Sequence, residues 1–305
     1  MKGCILGPLK KDECGLDILR EGKKIFDEFF YVPIPEVRMN FKDGAKVFYK
    51  NRNLAKLDFI IPRIPRTYVN LGFIILNILK DKLYLPITPE SILISHNKFL
   101  TLLRLKEAGL PVPKTYLATS RQSLEDLLDK MRFPVVMKLL YGSLGKGVMF
   151  ADSKGSAISL MDALERVKEP ILLEEYIPNP GEDIRAFVLG GDVLTAMKRK
   201  ATKRGERRAN IAVGGIGKPI KIGLEQRDLA IKAAKALGME ICGIDLLEGR
   251  KGPVIIEANV NVHFEGLKRA TGIEVAKEIV EYVRNEVEEI GKTMIERVLR
   301  RVGFK

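Results

Sequence analysis

Apolar positions along the chain fall into short unbroken runs and longer stretches with helical spacing. Residues 3–7 and 57–61 are continuous runs that read as buried strands, the second stopped by Pro62. Between them Leu16, Ile18, Leu19, Ile25 and Phe29 recur at roughly helical spacing and predict a helix over 15–29. Pro62, Pro65, Pro86 and Pro89 punctuate loops around a further helix at 68–79. Strands and helices in alternation predict a small α/β unit with a parallel sheet.

A second unit opens at Ser95-His96-Asn97-Lys98, where Ser95 or Asn97 can cap a helix that carries Phe99, Leu102, Leu103 and Ala108 and ends at Gly109. Ser123 is read as the cap of another helix reaching to about 131; a strand at 134–139 and a helix at 156–167 follow. The remainder predicts strands at 171–177 and 185–189, a helix at 225–237 stopped by Gly238, a hairpin, and a helical tail from Gly272. No internal repeat or low-complexity segment interrupts this order. The expected organisation is three units, 1–88, 89–168 and 169–305, in an α/β fold that is α+β in part.

The hairpin carries the most informative chemistry. Gly243-Ile244-Asp245-Leu246-Leu247 and Ile256-Glu257-Ala258-Asn259 are apolar runs bearing oxygen side chains, joined by the turn-rich 248–253. Glu257 and Asn259, two apart in a strand, share a face, and Asp245 opposite them would complete a hard-oxygen set suited to Mg²⁺. Taken alone, the set equally suits solvated polar residues on an open sheet face. Upstream, Lys138 ends a buried strand and precedes Gly142-Ser143-Leu144-Gly145-Lys146-Gly147. Glycines at this density let backbone N–H groups cover phosphates. Gly147 stands where a P-loop needs Ser or Thr, and a second strand follows at 148–150, so the segment is a flap between antiparallel strands. Leu172-Leu173-Glu174-Glu175-Tyr176-Ile177 then runs from apolar to acidic-aromatic, and Asp183-Ile184-Arg185 offers an exposed acid for a ribose and a guanidinium fork for a carboxylate.

Composition narrows the class. A chain of 305 residues with 46% apolar and 30% charged residues is globular, not disordered. The longest apolar run, 71–79, is too short to span a bilayer and is broken by Asn77, and the N-terminus lacks a signal-peptide pattern. Cys4, Cys14 and Cys242 have no metal-ligand spacing, so a reduced cytoplasm is expected. A net charge of +13 favours phosphate-bearing and polyanionic partners. Its clusters, Lys198-Arg199-Lys200, Lys203-Arg204 and Arg207-Arg208, accompany no nucleic-acid-binding motif, and a nucleic acid is not the expected partner. Two Gln among many Lys, Arg and Glu resemble a heat-adapted composition.

In order, these pieces resemble the ATP-grasp superfamily, and within it the RimK-type amino-acid ligases. The marks are Asn97-Lys98, Lys138, the flap at 142–148, Glu174-Glu175-Tyr176-Ile177, Asp183-Ile184-Arg185, Arg208-Ala209-Asn210 with Gly214-Gly215, Gly243-Ile244-Asp245, Glu257-Ala258-Asn259 and Glu265-Gly266. The resemblance implies a Rossmann-like N-terminal domain before two α+β subdomains that clamp ATP. It implies that Lys98 and Lys138 hold the ATP phosphates under the flap of Gly142, Ser143, Gly145, Lys146 and Gly147. Glu174, Glu175, Tyr176 and Ile177 would meet adenine, and Asp183 the ribose. Asp245, Glu257 and Asn259 would hold two Mg²⁺ ions, with Mn²⁺ an alternative, and Arg185, Arg199, Arg208 and Asn210 would contact the acceptor carboxylate or the moving phosphoryl group.

The implied reaction joins a carboxylate to an amine through an acylphosphate. The expected nucleophile is L-glutamate, and the expected acceptor a coenzyme tail such as tetrahydromethanopterin or a polyglutamylated deazaflavin of archaeal type. A ribosomal or amino-group carrier protein is the alternative acceptor, and a basic nucleic-acid-associated ATP-binding protein without ligase activity is the alternative class. The family also leads one to expect a homo-oligomer. Where RimK proteins carry Ser-Pro-Gly after the metal ligands, this chain has Asn261-Val262-His263, and His263 is a candidate proton shuttle beside a packing role.

Overall fold

The computed structural model describes residues 1–42, 44–142, 147–164, 169–179, 181–203, 205–211 and 214–301. The first unit runs β1 (Lys2–Gly7), α1 (Glu13–Ile25), β2 (Glu28–Pro33), β3 (Val37–Asn40), β4 (Lys46–Tyr49), β5 (Arg52–Asn53), β6 (Phe59–Pro62) and α2 (Val69–Leu79). Its sheet has the order β2-β1-β6 and is parallel throughout. The helix expected over 15–29 ends at Ile25, because Phe29 belongs to β2, whose aromatic and β-branched side chains favour a pleated surface. Gly3 is required where it stands: a Cβ there would lie 2.2 Å from the Phe59 ring. The small antiparallel sheet β3-β4-β5 was not anticipated.

Next come α3 (Pro89–Ser95), α4 (Lys98–Glu107), β7 (Thr115–Ala118), α5 (Arg121–Leu128), β8 (Val135–Leu139), β9 (Val148–Ala151), α6 (Lys154–Leu164) and β10 (Ile171–Glu175). Helix α3 was hidden by Pro89, which occupies its first turn, where a missing N–H costs nothing. Asn97 caps α4 by accepting from Leu100 N at 3.1 Å, and so fixes Lys98 at the helix start. Ser120, not Ser123, caps α5; Ser123 is the reciprocal partner three residues on. The four-stranded sheet β7-β10-β8-β9 is antiparallel. Strand β10, read as opening the third unit, lies inside this sheet between β7 and β8. Residues 165–167 of the helix predicted at 156–167 lie outside the described residues.

The last stretch holds β11 (Glu182–Leu189), β12 (Asp192–Lys200), β13 (Ile216–Pro219), α7 (Leu224–Ala236), β14 (Ile241–Gly249), β15 (Gly252–Asn259), α8 (Glu265–Thr271) and α9 (Val275–Arg301). Its sheet is β13-β12-β11-β14-β15. The basic cluster at 198–200 is the end of β12.

Apolar packing joins the first and last sheets. One core brings Leu6, Ile60, Ile64 and Leu76 against Ile244, Leu246 and Ala233; a second brings Ile5, Ile18 and Phe59 against Phe187, Phe264 and Val280. A third core, with Leu124, Val135, Met137 and Leu173, is confined to the four-stranded sheet and its helices. The 71–79 run is packed in α2, and no helix among the described residues is long and apolar enough to cross a membrane.

Candidate active site

Residues directly opposed in antiparallel strands share a face, so the register of the five-stranded sheet builds the site. Asp183 faces Arg199, Arg185 faces Asp245, Asp245 faces Glu257, and Gly243 faces Asn259. The predicted metal-ligand set therefore does converge on one face. Between Asp245 and Leu246 the pairing slips by one residue, because Leu246 pairs with Ile255. The extra residue, Ile256, joins Leu247 in the wall of the cleft beside these acids.

Each acid on this face is held by a cation. Arg185 donates through Nε and Nη2 to the two oxygens of Asp245, both at 2.7 Å. Arg199 is bidentate on Asp183 at 2.6 and 2.7 Å and reaches Asp245 Oδ2 at 3.0 Å. Asn259 Nδ2 approaches the same oxygen at 3.4 Å. Lys98, at the start of α4, donates to Glu257, and Lys138 in β8 donates to Glu174 in β10 at 2.6 Å. Asp183 is thus a buried anchor for Arg199 and not the exposed acid expected after a strand. Glu174 is buried too, with Oε1 unpartnered; in the acidic-aromatic segment Glu175 is exposed, and Tyr176 and Ile177 are half-buried.

Burial pushes the Asp245 carboxyl up, but Arg185 and Arg199 outweigh it and hold it well below the usual carboxylate range. Glu257 is likewise pushed up by burial and brought below its ordinary value by Lys98. Lys98 loses affinity for its proton through burial and regains more from Glu257, ending above its ordinary value. All three stay charged at neutral pH.

Two cavities meet here. The first is a cleft of about 810 Å³, part of which is open to solvent. Val136, Val148, Phe150, Ile177, Leu247 and Ile256 give it an apolar slot; Lys138, Asp183 and Asp245 line its polar part. The second, of about 1660 Å³, is lined by Arg66, His96, Tyr141, Arg185, Asn259, His263, Glu265 and Arg269. Lys98, Gly142, Arg199, Asn210 and Glu257 belong to both linings.

The flap glycines at either end, Gly142 and Gly147, are described; Ser143, Gly145 and Lys146 lie outside the described residues. Gly147 has φ 76°, a left-handed conformation that glycine adopts without strain. Arg208 lines the first cavity and forms hydrogen bonds with Glu206 of its own loop at 2.7 and 2.9 Å.

Residues 95–283 match the sequence profile described as the RimK-like ATP-grasp domain. The chain belongs to the RimK-like ATP-grasp family. It is 36% identical over 241 residues to a probable alpha-L-glutamate ligase of Thioalkalivibrio sulfidiphilus, covering 78% of this chain and 79% of the relative. Against the probable alpha-L-glutamate ligase of Legionella pneumophila (strain Corby) it is 38% identical over 252 residues, 81% of this chain and 83% of that one.

Solved ATP-grasp structures share the fold. The ATP-grasp ligase PsnB with its minimal precursor has a TM-score of 0.73 at 17% identity, over 92% of this chain and 98% of its own. A RimK domain protein from Sphaerobacter thermophilus gives 0.68 at 14% identity, over 92% and 98%. Another PsnB structure contains Mg and ADP. This RimK-like protein is an ATP-dependent ligase, which removes the reading as a nucleic-acid-associated protein without ligase activity.

Sequence reasoning missed Arg207. Its guanidinium lies 5.3 Å from the Phe150 ring and 5.5 Å from the Tyr176 ring, and 3.0 Å from Asp152. Phe150 and Tyr176 meet edge to face at 6.1 Å. The aromatic positions were legible beside the flap, but nothing local ties them to Arg207. His96, directly before Asn97-Lys98, was passed over as well.

Proposed function

We propose that this ligase adds L-glutamate to a carboxylate-bearing acceptor, with ATP in the first cavity and the acceptor and amine in the second. The supporting observation is the shared boundary. An apolar slot with a lysine-lined end suits a nucleoside triphosphate, a cation-rich cavity suits carboxylates, and the two join at Lys98, Arg199, Asn210 and Glu257. The name carried by the similar relatives, alpha-L-glutamate ligase, supports the choice of amino acid. A coenzyme tail ending in a carboxylate is the acceptor we favour, and the basic lining supports an anionic one.

A carboxylate oxygen of the acceptor attacks the γ-phosphorus, the bond to the β-phosphate oxygen breaks, and ADP leaves. The amine nitrogen then attacks the acyl carbon and phosphate departs with the electron pair. No protein nucleophile is needed; position and charge neutralisation carry the chemistry. Lys98 and Lys138 supply positive charge to the phosphates, and Arg185 and Arg199 hold Asp245 in place. Asp245, Glu257 and Asn259 fit Mg²⁺ by their donor chemistry: hard oxygens on one face whose negative charge already requires cations. When bound there, Mg²⁺, as two ions or replaced by Mn²⁺, neutralises phosphate charge. Phe150, Tyr176 and Arg207 line the first cavity and would cover the nucleotide.

The test is ADP release with Mg-ATP across a panel that crosses amino acids with coenzyme and acidic-peptide acceptors, products being weighed by mass spectrometry. A product heavier by one glutamyl residue is expected. Turnover only with a different amino acid would overturn the glutamate assignment.

A further inference from the structure

Amide formation requires the attacking amine to lose a proton, and none of the Lys, Arg or acid pairs above is free to take it. The chain has two histidines. His263 is half exposed, with Nδ1 4.0 Å from Glu265, and it groups with the Cys14 thiol and that carboxylate. His96 is placed differently. It ends α3 and is followed at once by Asn97, the cap of α4, so both flanking helices fix its backbone.

Its Nε2 lies 2.8 Å from the carbonyl oxygen of Ile64, and Asn261 Nδ2 donates to that same oxygen. A carbonyl can only accept, so Nε2 carries the hydrogen and Nδ1 carries the lone pair. Nδ1 has no hydrogen-bond partner among the described residues and is not one of the buried orphan atoms, so it is not sealed off, and His96 is one of the residues that line the second cavity.

We propose that His96 is the general base of the amide-forming step, an inference that rests on the ligase reading of this site. The lone pair of a neutral amine forms the C–N bond, the acyl C–O bond breaks with its electron pair leaving on phosphate, and one N–H proton passes to His96 Nδ1. The position suits the task. His96 stands two residues from Lys98 and shares the cavity with Glu257 and Asn259, where the acylphosphate forms.

The surroundings favour the unprotonated imidazole. Burial lowers its pKa below 6.5 and Arg66 lowers it further, the Ile64 carbonyl opposing only in part. The other charged or titratable groups lining this cavity are Lys98, Arg185, Arg199, Arg269, His263, Glu257 and Glu265. Asn261 does part of the positioning: by sharing the Ile64 carbonyl it ties the segment after the metal ligands to the ring. That segment is where this chain departs from the Ser-Pro-Gly turn.

The experiment uses the full-length protein, tetra-L-glutamate as acceptor probe, and either L-glutamate or hydroxylamine as nucleophile. Hydroxylamine is neutral and strongly nucleophilic at pH 7 and needs no base. His96→Gln should slow glutamate addition by about 10²-fold while hydroxamate formation stays within about two-fold of wild type. The acidic limb of the glutamate pH–rate profile should vanish with it. Equal loss with both nucleophiles, or loss with neither, would overturn the proposal.

A second measurement is independent of turnover. Nitrogen-15 NMR of the His263→Gln protein observes one imidazole, expected as the Nε2–H tautomer at pH 7 with a pKa below 6.5. An Nδ1–H tautomer overturns the base assignment. Silence of the wild type with both nucleophiles counts instead against the substrate reading, and the NMR result then decides the base by itself.

Discussion

Lys138 and Glu174 show how much of this site is a balance between single residues. Both are buried, and each is the other's only described charged hydrogen-bond partner. Lys138→Met should therefore destabilise the protein by about 3–5 kcal/mol, because it strands a buried carboxylate. Adding Glu174→Leu should recover most of that loss in a urea midpoint while ATP affinity stays lost. Recovery of binding along with stability would remove Lys138 from the phosphate site. Arg207→Ala deletes a cation that covers two rings and should raise the ATP Kd several-fold, in line with about 0.5–2 kcal/mol for such contacts, with kcat little changed. Titration calorimetry and steady-state rates separate the two. At this scale the sequence shows which residues carry charge but not which charge each one meets. Asp183 looked exposed because its partner Arg199 sits 16 positions on, across a strand the basic cluster concealed.

Elements are placed by their ends, and the chain states some ends more clearly than others. Asp12 caps α1 by accepting from Gly15 N at 2.7 Å, and Arg63, after β6, binds its other oxygen at 2.6 Å. Asp12→Ala should cost about 2–3 kcal/mol, less than a fully buried pair because Asp12 is 34% exposed. Burial pushes the Asp12 carboxyl up, but Arg63 and the Gly15 N–H hold it below 3.8. Unfolded chains therefore bind more protons at that position. Its stabilisation is complete above the unfolded pKa and lost as pH falls through the lower folded value. Thermal scans should show the gap between wild type and Asp12→Asn closing below about pH 4; a gap that is constant in acid would contradict the pairing. The stop at Gly238 was legible because one residue sets it, and Asn97 was one of the two caps, with Ser95, that the sequence left open. Strand β12 was not, since Lys198 and Lys200 point away from the site while Arg199 is buried in it, a split visible only once the sheet exists.

At the scale of the molecule, Mg-ATP should bind the folded form alone and raise its stability by about 2.7 kcal/mol at a hundred times Kd. EDTA should abolish most of that shift, and Glu257→Gln should do the same without unfolding the protein, as read by differential scanning fluorimetry. A full ATP shift in the variant would remove Glu257 from the metal site. The division of the chain into three units is an expectation from the order of its elements. That the first and last sheets share two cores could not be read there, because interleaved packing leaves no mark on either segment. Ile64 belongs to the first of these cores, and its carbonyl holds both His96 and Asn261.

The separate core of the four-stranded sheet has an evolutionary consequence. On the proposed assignment of the two cavities, acceptor choice would reside in the fused body, where Arg185, Arg269 and the 261–265 segment lie, while much of the nucleotide slot would belong to an independently packed piece. Descendants of such a chain can therefore exchange one substrate for another by drift in a few loops, with the energy-coupling half inherited unaltered. A chimera that transplants only residues 115–175 from a relative should inherit this protein's acceptor and not the donor's.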